Sequence, residues 1–282
     1  MRRRLLVLSL VPILYTSTVW ADEADIHYRK GLQLRKDGKT EEAITELTEA
    51  IKLRGDYAAA EYSLGLAYKG QNQLDQAVIH LDKAVKLQPK AGDLRASLGL
   101  VYYKLGKFDE AKAELEKAAE LRPTDASIHA SLGTIYREQK DPAKALTHLK
   151  RAVELDPKDA MGHNGLGVVQ RASGSMPDAE KSFLKAIELD PKRAEFHFNL
   201  AAVYRRQQKV KESIAEYEKA IALDPNLAPA HYDLGVMYKN EKRTEDAVRE
   251  WNRYLELIAS KDPKEAEGTR KHILELGGKP AR

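Results

Sequence analysis

An all-α fold of stacked helix pairs is what this sequence predicts, on three observations. The composition favours helix, with Ala, Leu, Glu and Lys dominant and 7% aromatic residues among 282. A short phrase, Leu-Gly-x-x-Tyr, recurs as LGLAYK from Leu64, LGLVYY from Leu98, LGTIYR from Leu132 and LGVMYK from Leu234. The phrase belongs to a repeat with a constant step of 34 residues. With 43% hydrophobic and 32% charged residues, the chain can bury a sizeable core and does not have a disordered composition.

The first element stands apart from the repeat. Arg2, Arg3 and Arg4 precede an apolar run, LLVLSLVPILY, followed by polar Thr16, Ser17 and Thr18 and then VWA. That order reads as a signal peptide over residues 1–21, cleaved after Ala21 with Val19 three residues before the cut. The alternative is an uncleaved anchor. Against it, the run is shorter than the ~20 residues that span a bilayer, and Pro12 interrupts it. Removing the segment takes Lys+Arg from 47 to 44 against 43 acids, so the mature chain is expected to be nearly neutral rather than basic. The absence of cysteine excludes disulfides, thiol nucleophiles, thiolate metal sites and an acylated N-terminal cysteine.

The repeat itself is in register from Ala24 to Lys261. Numbering each unit from 1 to 34, position 8 is Gly31, Gly65, Gly99, Gly133, Gly167, Ala201 and Gly235. Position 20 is Ala43, Ala77, Ala111, Ala145, Ala179, Ser213 and Ala247. Position 24 is Leu47, Leu81, Leu115, Leu149, Phe183, Tyr217 and Trp251. Position 30 is leucine throughout, from Leu53 to Leu257, and Pro89, Pro123, Pro157, Pro191 and Pro225 close five units. Positions 4, 7, 8 and 11 share one face of a first helix, and 20, 24, 27 and 28 one face of a second. The small residues mark close approach of two helix backbones, and the tyrosine at 11 and leucine at 24 fill the space around them. Proline, often after aspartate, stops the second helix.

This pattern resembles the tetratricopeptide repeat (TPR) family, with units at 24–57, 58–91, 92–125, 126–159, 160–193, 194–227 and 228–261. The resemblance implies a right-handed superhelical solenoid in which no unit buries its apolar face alone. Leu-Gly-x-x-Tyr is then scaffold rather than a site. Residues 262–276 read as a solitary capping helix that lays Ile273, Leu274 and Leu276 over the last unit, and 277–282 as a frayed tail. The last unit has Tyr254 where alanine is usual, and its proline, Pro263, comes four residues late, about one helical turn. Unit five carries Gly162, Gly165, Gly167 and Gly174, and Gln170 replaces its tyrosine, so the softest point is expected there.

Position 12 is basic in six of seven units: Arg35, Lys69, Arg137, Arg171, Arg205 and Lys239, with Tyr103 as the exception. Lys36, Lys104 and Arg206 add charge at position 13. The family arrangement implies that the first helices line a concave surface into which positions 2, 5, 9 and 12 point. The row at position 12 would edge this groove. Tyr28, Leu32, Tyr62, Leu66, Leu100, Val168, Phe198, Tyr232 and Val236 would floor it. An apolar floor with a basic edge suits a peptide or helix carrying apolar anchors and acidic groups. The alternative is that these cations serve the negative ends of their own helices, worth ~0.3–1 kcal/mol each.

Histidine also repeats at position 4, as His27, His129, His163, His197 and His231. One per unit cannot converge three or four ligands at ~2 Å on a metal, so packing is the expected role. A family-type carboxylate clamp would need Asn164 and Asn199 to be joined by further Asn, Lys or Arg. Val168, Pro229 and Asp233 stand there instead, so the clamp is absent. No nucleophile elbow, zinc-protease or phosphate-loop motif occurs, and GHNGLG lies inside a helix. The expectation is a non-enzymatic, cofactor-free scaffold or assembly factor for a protein or peptide partner. It would be exported to a bacterial periplasm, serve a cell-envelope complex, bind no nucleic acid and not insert in the membrane after cleavage. Its oligomeric state stays open. A self-associating structural array and a regulatory subunit of a separate enzyme are the alternatives.

Overall fold

The computed structural model describes residues 14–258 and 262–281. Most of the expected signal segment, residues 1–13, lies outside the described residues. The described chain is helical throughout and contains no strand. It divides into two compact units, one ending at Ser131 and one beginning at Leu132.

The first unit holds α1 (Leu14–Lys36), α2 (Thr40–Leu53), α3 (Ala58–Gly70), α4 (Leu74–Leu87), α5 (Gly92–Lys104) and α6 (Phe108–Leu121). Helix α7 (Ala126–Glu138) contains the dividing residue. The second unit continues with α8 (Pro142–Leu155), α9 (Ala160–Ala172), α10 (Met176–Leu189), α11 (Ala194–Arg206) and α12 (Val210–Leu223). It ends with α13 (Ala228–Asn240), α14 (Thr244–Ile258) and α15 (Pro263–Glu275). Helix α1 starts ten residues before the first repeat and is unbroken through Ala21. No described helix is long and apolar enough to cross a membrane.

Helices pair within a repeat because small residues let them. A Cβ added at Gly65 would lie 2.7 Å from Leu81 Cγ and 3.2 Å from the carbonyl of Ala77. Ala77 and Leu81 are themselves fully buried. The same contact joins Gly167 to Phe183 and Gly235 to Trp251, so the position-24 side chain packs on bare backbone whatever its size. In the sixth repeat the glycine and alanine become Ala201 and Ser213. There the buried Ser213 hydroxyl donates to the Ala201 carbonyl at 2.9 Å.

Each pair turns through a residue at position 15 with positive φ: Gly38, Asn72, Gly106, Lys140, Gly174, Gln208 and Lys242. The next amide reaches back five residues to a helix carbonyl, as Lys39 to Leu34 and Lys209 to Tyr204, both at 2.9 Å. This is a helix C-terminal cap that needs a left-handed residue, which glycine supplies most cheaply. Between repeats, Asp156, Asp190 and Asp224 end the second helix, and each carboxylate accepts a hydrogen bond from the amide two residues on.

At the far end α15 packs on α14. Ala266, Thr269 and Ile273 form its buried stripe, at the i, i+3, i+7 spacing of one helix face. Leu276 joins this cluster, whereas Leu274 does not cover the end as expected: it is 60% exposed, because its neighbour Ile273 takes the inward position. Tyr254 fills the place of the usual alanine against Tyr232, with ring centroids 5.1 Å apart. The extra turn expected before Pro263 falls largely on residues 259–261, outside the described residues. The tail expected to fray is fastened to α14: Asn252 donates to the Lys279 carbonyl at 3.0 Å and accepts from the Ala281 amide at 2.6 Å.

Candidate functional site

The first helix of each pair turns positions 4, 7, 8 and 11 towards its partner helix. Positions 5 and 9 border this face and stay partly exposed. Tyr28 and Leu32 on α1, Tyr62 and Leu66 on α3, and Leu100 on α5 are all half-buried. So are Val168 on α9, Phe198 on α11, and Tyr232 and Val236 on α13. Within the units α1 touches α3 and α9 touches α11, so these side chains form apolar rows across neighbouring first helices. The rings are braced from beneath. Tyr28 lies 4.9 Å from Tyr57, and Phe198 lies 5.8 Å from the buried Tyr217. The Tyr62 hydroxyl is 3.0 Å from the Ser97 hydroxyl on the next first helix. Braced aromatic side chains on an open face offer contact area at little cost in side-chain entropy.

The position-12 residues are not equivalent. Arg137 pairs with Glu138 at 2.7 Å and Arg205 with Asp233 at 2.8 Å. Lys239 lies over the Trp251 ring at 5.9 Å, and the half-buried Tyr103 packs against Phe108 at 5.7 Å. Arg35, Lys69 and Arg171 are half-buried and have no carboxylate at ion-pair distance among the described residues. Burial, and then neighbouring Lys104, hold the Lys69 ammonium below the usual lysine range. Burial, followed by Arg206 and Arg205, does the same to the Arg171 guanidinium. Asp233 accepts hydrogen bonds from both Arg205 and Tyr217, the latter at 3.1 Å.

Asn164 and Asn199 are buried beside this cluster and are spent on one another. The Asn199 amide donates to Asn164 at 3.0 Å, and the Asn164 amide donates to Glu195 at 3.1 Å. They link successive first helices instead of presenting a carboxylate clamp.

The position-4 histidines do not gather. His27, His197 and His231 each meet a glutamate nineteen residues on, Glu46, Glu216 and Glu250, at 2.6 to 2.8 Å. Glu61 and His80 form the same pair reversed, and Arg95–Glu114 is its arginine version, both at 2.6 Å. These pairs bolt the first helix of a repeat to the second. His197 Nδ1 faces Glu216, and its Nε2 faces the Pro191 carbonyl at 3.2 Å, so both ring nitrogens meet acceptors. The hydrogen bond to Glu216 raises the His197 pKa. Burial pushes Glu216 upward, but hydrogen bonds from His197 and Lys219 prevail and hold it below the ordinary carboxylate value. No group of three or more histidines or acids fit to hold a metal occurs among the described residues.

Sequence reasoning missed these braces and the Arg205–Asp233–Tyr217 contact. Glutamate nineteen residues after position 4 is a visible signal for the first. The second joins three different repeat positions and leaves no periodic mark.

Tetratricopeptide repeat models match residues 97–160 and 58–90, and a TPR repeat model matches 31–72, 169–208 and 202–241. Among solved structures, YrrB, described as a TPR protein with an unusual peptide-binding site, is 27% identical. That match has a TM-score of 0.57 and covers 65% of this chain and 95% of YrrB. MamA from Desulfovibrio magneticus RS-1 is 26% identical with a TM-score of 0.57, over 60% of this chain and 96% of that one. PilF of Pseudomonas aeruginosa, 17% identical with a TM-score of 0.65 over 79% and 98%, shares the fold. No curated protein matches the chain at a significant level. With the helix pairs, the bare-backbone contacts at position 8 and these matches together, the chain belongs to the tetratricopeptide repeat family.

Proposed function

We propose that this chain is a non-catalytic scaffold whose first-helix face receives a peptide or helix of a protein partner. One observation carries the reading: in each unit a half-buried apolar row is accompanied by a half-buried cation, Lys69 in one and Arg171 in the other, with no carboxylate at ion-pair distance among the described residues. Apolar side chains seated on Val168, Phe198 and Tyr232 would release water, and acidic groups of the same segment would offset the cations. YrrB, with its peptide-binding site, supports the reading by likeness. The order of residues 2–21 supports export; a bacterial periplasm and a cell-envelope complex are the setting we propose for it.

The test is photo-crosslinking in the native host from Val168 and Tyr232, with exposed Lys181 on α10 as control. A discrete adduct from the first-helix positions, identified by mass, is expected. Adducts from Lys181 alone would move the binding face to the second helices. For export, N-terminal sequencing of the protein from the envelope fraction should begin at Asp22. A chain retained in the cytoplasm with its first residues intact would refute it.

A further inference from the structure

The basic row singles out two places. Position 12 of one repeat and position 13 of the next are both basic at Lys69 with Lys104 and at Arg171 with Arg206, one place in each unit. At both, the position-12 side chain is half-buried, lacks a carboxylate at ion-pair distance, and feels the position-13 cation as a like charge. Elsewhere on the row Arg137, Arg205 and Lys239 have Glu138, Asp233 and the Trp251 ring. A half-buried cation facing other cations is a standing electrostatic cost in the free chain, and a bound anion would remove it.

The second unit carries the fuller arrangement. Arg171 feels two like charges, Arg206 and Arg205, against one carboxylate, Asp233. Asp233 already sits between the Arg205 guanidinium and the Tyr217 hydroxyl, at 2.8 and 3.1 Å. The surroundings thus accommodate a carboxylate, and after Arg205 is satisfied the charges of Arg171 and Arg206 remain. The adjoining half-buried Val168 and Phe198 are apolar, which favours a carboxylate on a polypeptide over a polyphosphate. Near-neutral charge outside residues 1–21 argues the same way, since it supplies few phosphate contacts.

We propose that Arg171 and Arg206 form a receptor for an Asp or Glu side chain of the bound partner segment, with Lys69 and Lys104 a second and weaker one in the other unit. The arginine site is the stronger because a planar guanidinium can grip a carboxylate with two parallel hydrogen bonds. This rests on the peptide-scaffold reading above and names the chemistry the occupant must carry.

The experiment selects a displayed library of random peptides against the full chain, then repeats the selection against Arg171→Met and Arg206→Met. Lys181→Met, on the exposed face of α10, is the comparator. Methionine keeps an apolar stem, and thermal unfolding at low ionic strength checks each variant. Removing Arg171 should leave the midpoint unchanged or raise it. Enriched peptides should carry Asp or Glu beside apolar residues. Changing that acid to its amide, or making Arg171→Met, should weaken binding by about ten- to a hundredfold. Lys181→Met should leave it nearly unchanged. Peptides without acids, or binding indifferent to Arg171→Met, would overturn the receptor while leaving the scaffold reading intact. If no peptide is enriched, both fall. A loss of stability in Arg171→Met with unchanged affinity would mark Arg171 as a helix-end residue only.

Discussion

Two glycines on α9, two residues apart, separate helix propensity from packing. Gly165→Ala and Gly167→Ala gain the same intrinsic term, about 1 kcal/mol for replacing glycine inside a helix. Their surroundings differ. A Cβ at Gly165 meets a single atom, Leu149 Cδ2, at 3.4 Å, an ordinary contact. A Cβ at Gly167 meets Cε1, Cδ1 and Cζ of Phe183 at 2.8, 2.9 and 2.9 Å. That ring is fully buried and has no open space to turn into. Overpacking of this kind costs about 1–3 kcal/mol. Gly165→Ala should therefore stabilise by up to about 1 kcal/mol, and Gly167→Ala should end about 0–2 kcal/mol below the parent. The assay is urea denaturation of the whole chain. Midpoints are to be compared only where the slopes agree, because repeat arrays depart from two-state unfolding. A Gly167→Ala midpoint equal to or above that of Gly165→Ala would refute the reasoning that the repeated Leu-Gly phrase marks backbone approach.

Gln208→Gly should stabilise by about 1 kcal/mol by relieving a non-glycine residue at φ 62°, and an unchanged denaturation midpoint would contradict the cap argument. The His197–Glu216 brace sets a pH window. The raised histidine contributes fully below its ordinary 6.5 and loses its contribution as pH rises through its folded-state value. The lowered glutamate contributes above 4.5 and fades as pH falls through its own folded-state value. The stability gap between parent and Glu216→Gln should be widest near about pH 6 and narrower well above neutrality, where only the Lys219 contact remains; a gap constant across that range would dismiss the brace. Ser182→Ala removes the 2.7 Å hydrogen bond to buried Gln170 and should cost about 1–3 kcal/mol in thermal or urea unfolding, whereas a neutral outcome would mean that Gln170 finds another partner. Asn252→Ala should free residues 279–281 for carboxypeptidase trimming without moving the main unfolding transition; equal trimming of parent and variant would show that the Asn252 bonds do not hold the tail.

Much of the fold was legible because its constraints repeat. The small residues of Gly65 and Ala77 and the large apolar one of Leu81 recur every 34 residues since each backbone crossing has the same geometry, and a glycine that returns in six of seven repeats becomes a rule. The position-15 turn was harder to see. Only Gly38, Gly106 and Gly174 announce it, while Lys140, Gln208 and Lys242 adopt the same φ under the pull of the flanking helices. At the cap, Ile273, Leu274 and Leu276 are equally apolar in sequence, and only contact with α14 decides that Leu274 faces out.

The candidate site divides in the same way. The sequence by itself determined the helix pairs, the rows at positions 5, 9 and 12, and the chemistry those rows offer, since all of these follow from local periodicity. Tertiary structure decided which cations are already satisfied across helices. Arg171 and Arg205 occupy one repeat position, yet Arg205 pairs with Asp233 at 2.8 Å while Arg171 has no carboxylate at ion-pair distance among the described residues. The physical reason is range. A helix face is set by residues within a few turns of each other, whereas the Arg205–Asp233 pair joins α11 to α13 at repeat positions that do not coincide, so no local pattern announces it.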